Sequence, residues 1–172
     1  MRNRASKTKK IAFVGLAASL ALLLSYVEFL LPPLFVSVPG IKLGLPNIII
    51  LYVLYVLGFR YAAGVSFTRL CISSMLFGNA VTFAYSAAGA VLSLLVMTLL
   101  KRWGRLSEVG VSVSGGVAHN VGQILVAVAL LNTPKLAYYL IVLTVTGTLS
   151  GVFIGLCGAM LVKRIPTYRW GL

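Results

Sequence analysis

Apolar residues run through this chain in long blocks that polar residues interrupt only at intervals. The first block covers residues 11–31, broken by Ser19, Ser25 and Glu28 and stopped by Pro32-Pro33. Further blocks cover residues 47–59, 60–78, 79–100, 111–132 and 138–162. A helix needs about 20 apolar residues to cross a bilayer, and somewhat fewer where protein or water covers its ends. The pattern therefore predicts an all-α bundle of six transmembrane helices. It occupies one membrane domain, residues 11–162, between a basic leader, 1–10, and a basic tail, 163–172. The second block is short, and little beyond Gly58 and Arg60 separates it from the third. These two blocks could equally be a broken pair dipping into the membrane, which is tolerated only where protein buries the backbone. The first block follows a basic leader, as in a secretory signal peptide. Its apolar run exceeds the usual span of about 7–15 residues and no small-residue cleavage site follows, so it reads as a retained helix.

Composition agrees with the membrane assignment. The hydrophobic set makes up 60% of the 172 residues and charged residues 10%. Soluble domains carry about 25% charged residues, and a water-facing surface of this size could not be covered with so few.

Charge orients the bundle. There are fifteen Lys and Arg against two acidic residues, both Glu. With six spans, one side of the membrane receives Arg2, Arg4, Lys7, Lys9, Lys10, Arg60, Lys101, Arg102, Arg105, Lys163, Arg164 and Arg169. The other side receives Lys42 and Lys135, and Arg69 falls inside the third block. This asymmetry places both termini in the cytoplasm by the positive-inside rule, in the cell (plasma or inner) membrane. The basic excess then reports topology and contact with anionic lipid headgroups, with no nucleic-acid partner required.

The scarcity of acids excludes much chemistry. Glu28 and Glu108 are the only carboxylate side chains, and no Asp exists. Carboxylate-held Mg²⁺ and paired-carboxylate acid–base catalysis are ruled out on those terms. One histidine, His119, cannot make a multi-histidine metal site. Cys71 and Cys157 lie inside apolar blocks at no redox or zinc spacing and read as buried thiols. No catalytic residue, cofactor or metal is expected.

Small residues four apart mark faces where membrane helices approach closely. The last block carries Gly147, Gly151, Gly155 and Ala159, which read as helix-packing positions. The first carries Ala17, Ala21 and Ser25. Both ladders serve packing within one monomer or, alternatively, the docking of another membrane subunit.

Ionisable and amide side chains at membrane depth are candidates for function. Arg69 lies nine residues from Arg60, about 14 Å deep at 1.5 Å per residue. It is either a structural arginine bonded to carbonyls or a fork for a carboxylate or phosphate. His119 and Gln123 share a helical face with Asn120 beside it, and read as polar glue between helices or as one wall of a cavity. Glu28, Lys42, Asn47, Asn79 and Tyr85 fall near the outer ends of their blocks. Together these nine residues sketch a substrate pocket that opens outward, is net cationic and is closed below by apolar sequence. No ring of like residues suggests a pore.

Several of these segments carry a family resemblance. Leu-Pro-Pro-Leu-Phe at 31–35, Pro-Gly-Ile-Lys-Leu-Gly-Leu-Pro-Asn at 39–47, Leu-Phe-Gly-Asn at 76–79 and Gly-Gly-Val-Ala-His-Asn-Val-Gly-Gln at 115–123 resemble the Gx transporter family. That family is also labelled heptaprenyl diphosphate synthase component I. It is related to the substrate-binding S components of energy-coupling-factor (ECF) vitamin transporters, which are six-helix membrane proteins. The resemblance implies capture of a small vitamin- or precursor-like molecule, anionic or polar-aromatic. It further implies docking to a transmembrane coupling subunit driven by two ATPases. Ala17 and Ala21 match the Ala-xxx-Ala docking face of such proteins, and the loop 32–46 matches their ligand cap. The chain has no phosphate-binding loop, so ATP hydrolysis would belong to partners. Under the synthase label the alternative is a non-catalytic membrane accessory of isoprenoid or quinone synthesis, because trans-prenyl synthases hold Mg²⁺–diphosphate on Asp clusters that are missing here.

Overall fold

The computed structural model describes residues 2–31, 43–133, 135 and 138–165. Six α-helices follow one another: α1 (Arg2–Leu30), α2 (Pro46–Val56), α3 (Phe59–Phe77), α4 (Ala80–Trp103), α5 (Glu108–Leu131) and α6 (Tyr139–Arg164). No strand occurs among the described residues. Four helical stretches are long and apolar enough to cross a membrane: Thr8–Leu30, Ala80–Trp103, Glu108–Leu130 and Tyr139–Arg164. The protein is therefore embedded in the membrane.

Six helices match the expected number, and two of them, α2 and α3, fall outside the set with the length and apolarity of a span. The 11 residues of α2 reach only about 16 Å, roughly half of a hydrocarbon core of about 30 Å. The 19 residues of α3 have the length, but Arg60, Arg69 and a series of serines and threonines keep it out of the apolar set. The two helices meet at Gly58, whose φ of +90° is open to glycine and strained for other residues. Helix α1 begins at Arg2, within the basic leader.

Helices α2 to α6 form a closed series of neighbours. The chain of contacts runs α3 to α4, α4 to α5, α5 to α6, α6 to α2 and α2 back to α3, while α1 lies against α2 and α3. The tightest seams are those of α5. A Cβ built on Gly151 of α6 would lie 2.7 Å from Cα of Val113, and one on Gly155 would lie 2.7 Å from Cα of Val109. One on Gly147 would meet Gly116 O at 3.1 Å. The glycine ladder of α6 thus brings two backbones into contact along α5, which is how helices gain packing energy in lipid. Ala159, one step further, is half-buried. On the other side of α5, Gly89 of α4 leaves room for His119, and Gly122 leaves room for the Ala88 carbonyl.

The small residues of α1, expected either to pack within the chain or to dock another subunit, pack within the chain. Ala17 is 4% exposed, Ala21 0% and Ser25 8%, and both alanines belong to the buried core with Ile50, Leu51, Val53, Ala62 and Val65. Their short side chains let α1 close onto its own α2 and α3. The face that α1 turns outward carries Leu16, Leu20, Leu23 and Val27. Rings of α1 complete the seam, with Phe29 stacked 5.0 Å from Phe77 and Phe13 tilted 6.1 Å from Tyr52.

Candidate functional site

Within the series of helices lies a cavity of about 110 Å³ to which all six helices contribute. Helix α1 supplies Ser25 and Glu28, and α2 supplies Pro46 and Asn47. Helix α3 brings Arg69, Ser73, Ser74 and Phe77, and α4 brings Thr82 and Ser86. Gly116, His119, Asn120 and Gln123 come from α5, and Ser150 and Ile154 from α6. For comparison, an engineered apolar cavity of about 150 Å³ holds benzene. The buried part of any ligand here is accordingly no larger than one small ring or a short polar head.

Arg69 dominates the electrostatics. Its Nε is fully buried and has no hydrogen-bond partner among the described residues. A guanidinium N–H left unpaired at membrane depth is costly, and it marks a place where an acceptor belongs. The Glu28 carboxylate acts on its charge, and His119 lies close enough to feel the positive charge of Arg69. The Glu28 carboxylate accepts a hydrogen bond from the backbone N–H of Gly44, in the turn that precedes α2. Gly44 holds φ at +76° there, and its carbonyl accepts a 2.8 Å hydrogen bond from the Asn47 backbone N–H. This ties the acid of α1 to the start of the short helix.

Other polar groups divide into committed and uncommitted donors. Ser25 Oγ donates to Ala21 O at 2.9 Å, Ser73 Oγ to Leu70 O at 3.2 Å and Ser150 Oγ to Gly147 O at 3.3 Å. The Asn120 amide donates to the Leu143 carbonyl, joining α5 to α6. That bond makes Asn120 an interhelical link as well as a cavity wall. Thr82 Oγ1 donates to Asn79 Oδ1 and His119 bonds the Gly89 backbone, and the other polar side chains on the lining are Asn47, Ser74, Ser86 and Gln123.

Of the nine pocket residues expected from sequence, six line this cavity: Glu28, Asn47, Arg69, His119, Asn120 and Gln123. Asn79 does not. Its side chain caps α4, where Oδ1 accepts from Thr82 N at 2.8 Å and from Thr82 Oγ1 at 2.9 Å. Tyr85 is half-buried on α4 outside the lining, and Lys42 lies outside the described residues. The charged side chains among the described lining residues are Arg69 and Glu28, and Lys42, which completed the expected cationic excess, lies outside the described residues. Sequence reasoning missed Ser73, Ser74, Thr82, Ser86 and Ser150. The one available signal was spacing, because Ser73 follows Arg69 by four and Ser86 follows Thr82 by four. Ser25 was read as a docking position and instead borders the cavity. No group of three or more metal-ligating His, Cys, Asp or Glu side chains forms among the described residues.

A helical, membrane-embedded protein with a polar cavity among its helices is the class that fold and site define. The sequence profile of heptaprenyl diphosphate synthase component I matches residues 17–161, and the chain belongs to that family. Comparisons with curated proteins and with solved structures gave no match.

Proposed function

We propose that the protein is a non-catalytic membrane subunit that binds a small polar molecule in the cavity and works beside a separate catalytic partner in isoprenoid diphosphate synthesis. The unpartnered Arg69 Nε inside a polar cavity carries the binding half of this proposal. Family membership supports the setting, because the matched segment contains every cavity residue. The chemistry supports the division of labour. A chain without Asp has no cluster on which to hold Mg²⁺–diphosphate, so a soluble, Asp-rich subunit supplies it. Affinity purification of the membrane protein coexpressed with such a synthase subunit tests the pairing. A stable complex with prenyl-transferring activity is expected, and a synthase that is fully active and never retained contradicts it.

Uptake of a small molecule through an ECF-type transporter is the second function the site favours. The observation in its favour is convergence: side chains of all six helices line one polar cavity beside the second half of α3, from Arg69 to Phe77, where a solute could be held. The loop charges support an orientation in which the expected opening faces outward. In this case a transmembrane coupling subunit and two ATPases are the partners. Uptake that appears only on coexpression with those subunits would establish this role over the first.

A further inference from the structure

A second, apolar groove of about 430 Å³ runs along the seam of α4 and α5, and none of its lining residues borders the polar cavity. Leu92 and Val96 of α4 form one wall, and Val113, Val117 and Val121 of α5 form the other. We infer that this groove is a specific lipid site, holding one acyl chain of an anionic phospholipid whose phosphate rests on Arg105.

The lining points to a hydrocarbon chain. Residues four apart share a helical face, so each wall is a continuous apolar stripe. The polar member, Ser114, donates its hydroxyl to the Gly110 carbonyl of its own helix at 3.0 Å. A polar solute would therefore find no side-chain donor there. A partner helix fits poorly as well, because close helix packing in lipid needs small residues on the contact face. Gly89, Gly115, Gly116 and Gly122 are taken up in the chain's own seams, against His119, Met97, Gly147 and Ala88. The walls that remain are mostly valines with stiff, branched side chains, a surface suited to a thin and flexible chain.

The end of the groove sets the head group. Trp103 follows Val96 by seven residues, on the same face of α4 and about 10 Å further along. Tryptophan favours the boundary between hydrocarbon and head groups. Both Trp103 and Arg105 are exposed, and the Arg105 guanidinium sits over the Trp103 ring, 5.1 Å from its centre. A guanidinium laid on a ring still presents its N–H edge, which matches a phosphate. The neighbouring ionisable groups are turned to α2. Lys101 bonds the Leu54 and Tyr55 carbonyls, and Glu108 lies close enough to Tyr55 for its charge to act there. Arg102, exposed beside Trp103, adds further positive charge. An apolar groove with a cationic end is complementary to an acyl chain with an anionic head, whereas a zwitterionic head would bring a cation of its own to the arginines.

Native mass spectrometry of the full-length protein, released from nanodiscs of equal phosphatidylglycerol and phosphatidylcholine, tests the inference. One phosphatidylglycerol per protein should stay bound after bulk lipid is stripped. Arg105→Gln, an exposed substitution, should lower that retention by about tenfold or more, the value of a hydrogen bond from a charged donor. Val117→Trp, which fills the groove, should lower it similarly in protein with an unchanged unfolding midpoint. Arg60→Gln removes an equal charge at the start of α3 and should leave retention unchanged. Equal retention of phosphatidylcholine, unchanged retention in Arg105→Gln or Val117→Trp, or an equal loss in Arg60→Gln overturns the inference. Displacement of the phospholipid by added farnesyl diphosphate also overturns it, and would assign the groove to an isoprenoid chain.

Discussion

Lys101 Nζ, in the last turn of α4, donates a 2.8 Å hydrogen bond to the carbonyl oxygen of Leu54 in α2. A second bond of 3.3 Å reaches the Tyr55 carbonyl, and the ammonium sits 5.0 Å from the centre of the Tyr55 ring. These carbonyls belong to the last turn of α2, where helices lack internal donors and where a cation also complements the helix dipole. A half-length helix is thereby anchored at one end by Lys101 and at the other by the Gly44 turn held by Glu28. Lys101→Met should destabilise the protein by about 1.5–3 kcal/mol, with partial recovery in Lys101→Arg. Thermal unfolding in detergent measures this, and an unchanged midpoint for Lys101→Met would remove the anchoring role.

Glycines of this chain divide by what surrounds them. A Cβ at Gly151 would come within 2.7 Å of the α5 backbone, which cannot yield as a flexible side chain can. Gly151→Ala should therefore force α5 and α6 apart and destabilise the protein by about 1–3 kcal/mol. Nothing lies within 4 Å of a Cβ at Gly64, so Gly64→Ala should be neutral or mildly stabilising through its better helix propensity. Equal stability of the two variants would contradict the close seam.

Ala21 is wholly enclosed within the core. Ala21→Leu should lower stability by about 1–3 kcal/mol in the isolated protein, with no partner present. Leu20→Ala, one position along and 44% exposed, should change stability little. A stable Ala21→Leu protein that fails only to assemble with another subunit would restore the small-residue face as a docking surface.

Asn79 acts on α4 and not on the cavity. Removing its cap in Asn79→Ala should cost about 1 kcal/mol, most of it recovered in Asn79→Asp, and should leave ligand affinity unchanged. Affinity measured at a temperature where both proteins are folded separates the two roles.

The parts of this architecture that sequence reveals are those in which one residue type has one use. Uninterrupted apolar blocks mark α1, α4, α5 and α6 because little else in a protein requires them. The shortness of α2 and the break at Gly58 are legible for a similar reason. Ladders of small residues are legible as close contacts, but their spacing does not name the partner. The ladder in α6 meets α5 of the same chain, and Ala17 and Ala21 of α1 meet the same chain's core. Arg69 stands out because a base inside an apolar block is rare. Ser74 and Ser86 do not, since serines in membrane helices commonly bond their own backbone, as Ser25 and Ser73 do here. Asn79 and Lys101 carried their signals elsewhere: the one was a capping residue read as a pocket residue, the other a packing cation read as topology.

Affinity of the copurified cavity ligand for wild-type protein and for Arg69→Gln, both inserted in lipid nanodiscs, tests the central claim most directly. Arg69→Gln keeps an amide donor at the site, and affinity is compared in variant protein shown to be inserted and folded. Its affinity should fall by about tenfold or more, the value of a hydrogen bond from a charged donor. Unchanged affinity in the folded variant would show that Arg69 is a structural residue and that the cavity is not organised around it.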